Sequence, residues 1–180
     1  MHKNTEDTVA QEQMKSKPQI EEIIPELLDG EIKTTALGFA AYLRAKKLAP
    51  RYCSFNSWKI SYKGKCVGYV KLSYKMERNV WRVSFYLDKF DGEFGEGFKT
   101  AVRDNLHPCE SCLQACAKGL TLTVFEQESI GICRHFPLQF VNPAEDTLEY
   151  VKELIEYRKS VIEAGTFRNY WWIGGEEDAE

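Results

Sequence analysis

Ser57-Trp-Lys-Ile-Ser-Tyr-Lys-Gly-Lys-Cys-Val-Gly-Tyr-Val-Lys-Leu-Ser-Tyr74, resumed after a turn by Trp81-Arg-Val-Ser-Phe-Tyr-Leu87, decides the fold. Trp58, Ile60 and Tyr62 alternate with Lys59, Ser61 and Lys63. The turn Lys63-Gly64-Lys65 leads into Cys66, Gly68, Val70, Leu72 and Tyr74 on one face, with Val67, Tyr69, Lys71, Ser73 and Lys75 on the other. A second turn near Glu77-Arg78-Asn79 returns the chain through Trp81, Val83, Phe85 and Leu87, alternating with Arg82, Ser84 and Tyr86. Side chains alternate across a strand, so these runs predict a three-stranded antiparallel meander with one apolar face.

Helical spacing flanks the meander on both sides. Ile20, Ile23, Ile24, Leu27 and Leu28 predict a helix stopped by Gly30 and kept short or split by Pro25. A second helix is expected from Ala36 to Lys47, with Thr34 or Thr35 as cap and Leu48-Ala-Pro50 as its end. Phe98, Ala101, Val102 and Leu106 suggest another after the Gly92, Gly95 and Gly97 corner, which is read as a turn and not as a phosphate loop. Leu120, Leu122 and Val124, then Ile130, Ile132, Arg134 and Phe136, read as two further strands. Asn142, Pro143 and Glu145 signal the start of a last helix whose buried stripe is Leu148, Val151, Leu154, Ile155, Arg158, Val161 and Ile162, ended by Gly165. Residues 1–17 are polar and read as a disordered arm, 18–175 as a single α+β domain, and 176–180 as an acidic tail. The apolar stretch Phe167–Ile173 is expected to pack on the body or on a partner.

Composition narrows the class. The chain has 180 residues with a net charge of −3, ordinary for one globular domain and without a global bias toward nucleic acid. No stretch reaches the roughly 20 apolar residues that span a bilayer, and the start lacks the apolar core of a secretory signal. A cytoplasmic location follows as the expectation, with no membrane partner. Reduced, clustered cysteines then read as metal ligands rather than cross-links.

The segment Ser57–Lys65, with the strands after it and the C-terminal helix, resembles small α/β proteins of the DUF3788 and YdhG-like type, a likeness covering residues 36–162. The resemblance implies a fold like that of gyrase-inhibitory ligand-binding domains, with a ligand cleft or an iron-chaperone role. It assigns no functional residue, and the cysteine cluster departs from the pattern of those proteins.

That cluster is Cys109-Glu-Ser-Cys112-Leu-Gln-Ala-Cys116, answered by Cys133 in Gly-Ile-Cys-Arg-His. A Cys-x-x-Cys pair offers two thiolates from one turn, Cys116 lies one helical turn beyond Cys112, and a strand pair brings Cys133 back. Structural zinc on Cys109, Cys112, Cys116 and Cys133 is the favoured reading, with His107 and His135 as reserve ligands. An iron–sulfur cluster is disfavoured because the spacing does not match the ferredoxin run. Redox thiols and separately buried cysteines remain alternatives. Cys133 and His135 share a strand face, yet no third group orients them as a catalytic pair. Cys66 is assigned to the core.

Two surfaces carry the functional options. Trp58, Tyr62, Tyr74 and Trp81 could line a cleft between sheet and helices, which favours a non-enzymatic small-molecule- or partner-binding domain, regulatory in type, over an enzyme of unassigned reaction using the same cleft. Between Arg51 and Arg82 eight basic residues face one acidic residue, Glu77. Lys59, Lys63, Lys71 and Arg82 there form a basic patch beside Tyr69 and Tyr86, the basis for a third option, nucleic-acid binding. The ordinary reading of such a patch is a solvated sheet face. The fold class is α+β: an antiparallel sheet, helices on one face, and a Cys-rich metal-binding insertion at 109–133.

Overall fold

The computed structural model describes residues 5–73, 79–87, 90–109 and 119–166. Three helices come first: α1 (Thr5–Ser16), α2 (Ile20–Leu27) and α3 (Gly30–Ala45). Strands β1 (Arg51–Ser54), β2 (Ser57–Tyr62), β3 (Lys65–Leu72) and β4 (Trp81–Phe85) follow, then helix α4 (Glu96–Asp104). Strands β5 (Leu120–Val124), β6 (Gln127–Ile132) and β7 (Leu138–Val141) lead to the long helix α5 (Glu145–Glu163). The main sheet is antiparallel in the order β1-β2-β3-β4-β7, and β5 and β6 form a separate hairpin. The fold is α+β, and the expected meander is its centre.

One sheet face is the core. Trp58, Ile60, Val70, Leu72, Trp81, Val83, Phe85 and Phe140 are buried together with Ile24, Phe39 and Leu43 of α2 and α3 and Val151, Leu154 and Ile155 of α5. The Phe39 and Trp81 rings lie 5.7 Å apart, and the indole N–H of Trp58 donates to the Pro18 carbonyl at 2.9 Å. Arg158 belongs to the buried stripe as expected. It donates to the Tyr86 carbonyl at 2.6 Å, and its guanidinium lies 5.9 Å from the Phe85 ring centre, which offsets part of its desolvation.

Several expectations are corrected, each for a physical reason. The polar stretch 1–17 carries helix α1, because the Gln13 amide donates to Asn56 Oδ1 at 2.7 Å and accepts from the Asn56 N–H at 3.1 Å. Asn56 is buried at positive φ in the β1–β2 turn, so these bonds fasten α1 to the sheet. Helix α3 begins at Gly30 and not at Ala36. Thr34 and Thr35 lie inside it and bond back to the Gly30 and Glu31 carbonyls. A bulge after Ile60 shifts register so that Ser61 pairs with Cys66, turning Val67 into the core instead of outward. Strand β6 ends at Ile132, so Cys133 and His135 do not share a strand. Asn142 does not cap α5. Its side chain accepts from Trp81 N at 2.8 Å and donates to Asn79 O at 3.1 Å, tying off the end of the sheet. Strand β7 was not expected. The apolar stretch Phe167–Ile173 and the acidic tail lie outside the described residues.

Residues 105–109 join the two sheets. Gln139 N donates to Asn105 O at 3.0 Å, and His107 N to Pro137 O at 2.8 Å, against β7 and its approach. Cys133 N then donates to His107 O, and Cys109 N to Gly131 O, both at 2.7 Å, against β6. The same short segment is therefore bonded to both sheets.

Gly68 shows how tightly the core is packed. A Cβ there would sit 2.9 Å from two carbons of the fully buried Phe85 ring and 3.1 Å from the Ser84 carbonyl oxygen. Phe85 is itself held edge-on by Phe140 at 6.1 Å. Overpacking of this kind costs about 1–3 kcal/mol, so Gly68→Ala is expected to lower the urea midpoint without changing the slope. An unchanged midpoint would contradict the packing described.

Candidate metal centre and basic sheet face

The cysteines divide into three environments. Cys109 and Cys133 lie on the seam: Pro108 is bridged to Ile132, which sets His107 opposite Cys133 and Cys109 opposite Gly131. Strand alternation then puts His107, Cys109 and Cys133 on one side of the ribbon. Cys133 is buried and Cys109 half-buried. Cys112 and Cys116 lie outside the described residues. Among the described residues no three His, Cys, Asp or Glu side chains form a group able to hold a metal ion. The described residues that flank 110–118 nevertheless meet at one point. Cys109 bonds to Gly131 O, and Gly119, at φ +67°, packs so closely on the Gly131 backbone that a Cβ would fall 2.5 Å from its carbonyl carbon.

Cys66 is half-buried and outside this group. Burial pushes its thiol pKa up, with Tyr69 as its neighbour. Cys53 is exposed on β1, its thiol 3.3 Å from the Ser57 carbonyl.

Two residues of the expected aromatic cleft are buried. Trp58 is 0% and Trp81 1% exposed, both inside the core because α2 and α3 cover that face. Tyr62 sits at the sheet margin, where its hydroxyl bonds to the Glu163 carboxylate. Tyr74 lies outside the described residues. Lys63 also leaves the predicted patch, because it sits in the β2–β3 turn and pairs with Glu163 at 3.3 Å.

Lys59, Lys71 and Arg82 do lie on the outer sheet face. The registers place Arg51 opposite Lys59, Lys59 opposite Tyr69, and Lys71 opposite Arg82. Arg82 is held by the Ser73 hydroxyl at 2.5 Å. The five strands of the sheet hold Arg51, Lys59, Lys65, Lys71 and Arg82 and not one Asp or Glu. An aromatic group sits among them: Tyr86 stacks on Phe136 at 5.7 Å, and Tyr69 meets both edge-on at 6.0 and 5.5 Å. Phe136, from the turn between β6 and β7, is the member of this group that the sequence reading missed. Its place follows from the end of β6 and not from any local motif.

Comparison of the chain with protein-family models, with curated proteins and with solved structures finds no match in any of the three.

The Tyr69 phenol is held well above the usual tyrosine range by burial first, then by its hydrogen bonds to Tyr86 and Cys66. The folded state thus keeps this proton more tightly than the unfolded chain. The stability linked to it is intact below the ordinary value of about 10 and is lost as pH climbs through the higher folded value. Spectrophotometric titration is expected to show that Tyr69→Phe removes a step lying above the ordinary tyrosine range. Loss of a step at or below about 10 would show that the hydroxyl is not packed as described.

Proposed function

We propose that this chain is a non-enzymatic binding domain, regulatory in type, whose fold is completed by structural zinc on Cys109, Cys112, Cys116 and Cys133. The observation that supports it is that Cys109 and Gly119, the described residues on either side of 110–118, both meet Gly131. Cys112 is three residues from Cys109, and Cys116 three from Gly119. Cys133 is two residues from Gly131 on the same ribbon. Four thiolates suit the tetrahedral, closed coordination of a structural zinc, which leaves no position for a reacting water. A reducing compartment such as the cytoplasm would keep the thiols available. The seam strand 105–109 would then be clamped at its last residue, so metal binding would contribute to folding.

A binding role agrees with the likeness to ligand-binding domains, although the binding surface has to be relocated. Trp58 and Trp81 are buried in the core, so we place the binding surface on the outer sheet face. Among the described residues, the outer sheet face is a broad surface with its own chemistry.

Protein purified without chelator is expected to carry close to one zinc per chain, and Cys109→Ser or Cys133→Ser to lower metal content and thermal stability together. Cys66→Ser should leave the metal content unchanged. Less than about a tenth of a zinc per chain, with all four cluster thiols freely alkylated in the folded protein, would refute the assignment.

A further inference from the structure

The outer face of the main sheet carries an arrangement that works against folding. Two cross-strand pairs, Arg51 with Lys59 and Lys71 with Arg82, set like charges directly opposite each other, which is destabilising in an antiparallel sheet. Elsewhere among the described residues many of the cations are paired, although Lys33, Lys47 and Arg134 are not. Lys152 pairs with Glu149, Lys159 and Lys46 with Glu156, Lys63 with Glu163, and Arg44 with Glu21. Among the described residues, Arg51, Lys59 and Lys71 have no carboxylate partner. A chain with net charge −3 has thus kept its acids off one whole sheet.

From this we infer that the outer face of β1–β4 binds single-stranded nucleic acid, with Arg51, Lys59 and Lys71 on phosphates and the Tyr69–Phe136 group as a base-stacking surface. The proposal rests on the binding-domain reading above and names its partner. It is independent of the zinc.

The occupant is chosen by charge and by shape. From β1 to β4 the face spans about 14 Å at the usual inter-strand spacing, so the two basic pairs lie on either side of a strip rather than at one point. A single anion would satisfy one pair, whereas a chain of phosphates crossing the sheet would reach both. Lys59 lies directly opposite Tyr69, which puts a cation beside a half-buried ring, and Phe136 is half-buried with Tyr86 stacked against it. Unstacked bases find π surfaces on such rings, and stacking tolerates any base. A duplex keeps its bases paired and offers this flat face only phosphates. Arg82 keeps Ser73 as its partner and contributes charge to the strip.

The test is fluorescence anisotropy of a labelled 12-nucleotide oligouridylate with the full chain at 50 and 200 mM salt, alongside a duplex of equal length and heparin. The expected result is salt-dependent binding of the single strand, tighter than that of either competitor. Lys59→Ala with Lys71→Ala should weaken it at least tenfold and flatten the log–log salt slope by about 1.4, two phosphate contacts at about 0.7 each. Tyr69→Ala or Phe136→Ala should weaken it at least fivefold, from the loss of base stacking. Lys152→Ala, whose lysine is paired on α5, should change nothing. Circular dichroism and zinc content on the same samples separate loss of fold or metal from loss of the binding face. Absence of binding at 50 mM salt would overturn the inference. So would duplex or heparin binding as tight as the single strand, or binding that ignores both the lysine pair and the rings.

Discussion

The segment 105–109 is the constraint on which the rest of the structure turns. Its first residues donate to and accept from β7 and the approach to it, and its last residues do the same with β6. Without it, the β5–β6 hairpin would be an isolated two-stranded element, which is marginal in water. The hairpin also depends on aromatic packing beneath it. Phe125 stacks on Phe90 at 4.8 Å, and Phe94, Phe98 and Tyr157 close the group. Backbone bonds fix where the hairpin lies, and the aromatic group supplies apolar burial. The cysteines at 109 and 133 flank those bonds, so any ligand they share would act on the junction between the two sheets.

The core side of the main sheet was legible because period-two alternation depends only on neighbouring residues. Trp58, Ile60, Val70, Leu72, Trp81, Val83 and Phe85 are all buried as that alternation requires. Val67 escaped because a bulge is set by how two strands pair, and neither strand reveals it alone. Helix α1 escaped for a related reason. Its sequence is polar, and the Gln13–Asn56 bonds that fix it join residues 43 positions apart. Asn142 has the residue type, the proline and the glutamate of a helix start, yet its amide is used by Trp81 and Asn79. A local capping signal yielded to a sheet that needed its last N–H satisfied.

The candidate sites show the same division. The spacing of Cys109, Cys112 and Cys116 is a local fact that chain order alone discloses. That Cys109 and Cys133 end on one ribbon also needed the seam strand, whose dipeptide His107-Pro108 carries no strand periodicity. The tryptophans misled because aromatic residues on an apolar strand face serve a core and a cleft equally well. What decides between them is whether α2 and α3 cover that face, a long-range outcome.

Charge is distributed by layer. Helix α5 carries Glu145, Asp146, Glu149, Glu153, Glu156 and Glu163, and three of these carboxylates are partnered by lysines within reach. Its pairs lie near the surface and gain only a few tenths of a kcal/mol each. They leave little net positive charge on the helix side. The sheet has the opposite arrangement: its strands hold basic residues and no Asp or Glu, four of the basic residues set against like neighbours, on a face too polar to join the core. An edge strand gains protection from aggregation by carrying lysine or arginine, which accounts for Arg51 on β1. That reason does not reach Lys71 on β3, an interior strand of the sheet with no free edge to protect. Its charge adds to that of Arg82 across the strand and offsets nothing among the described residues. The placement follows from what the face meets in solution, and not from how the sheet is held together.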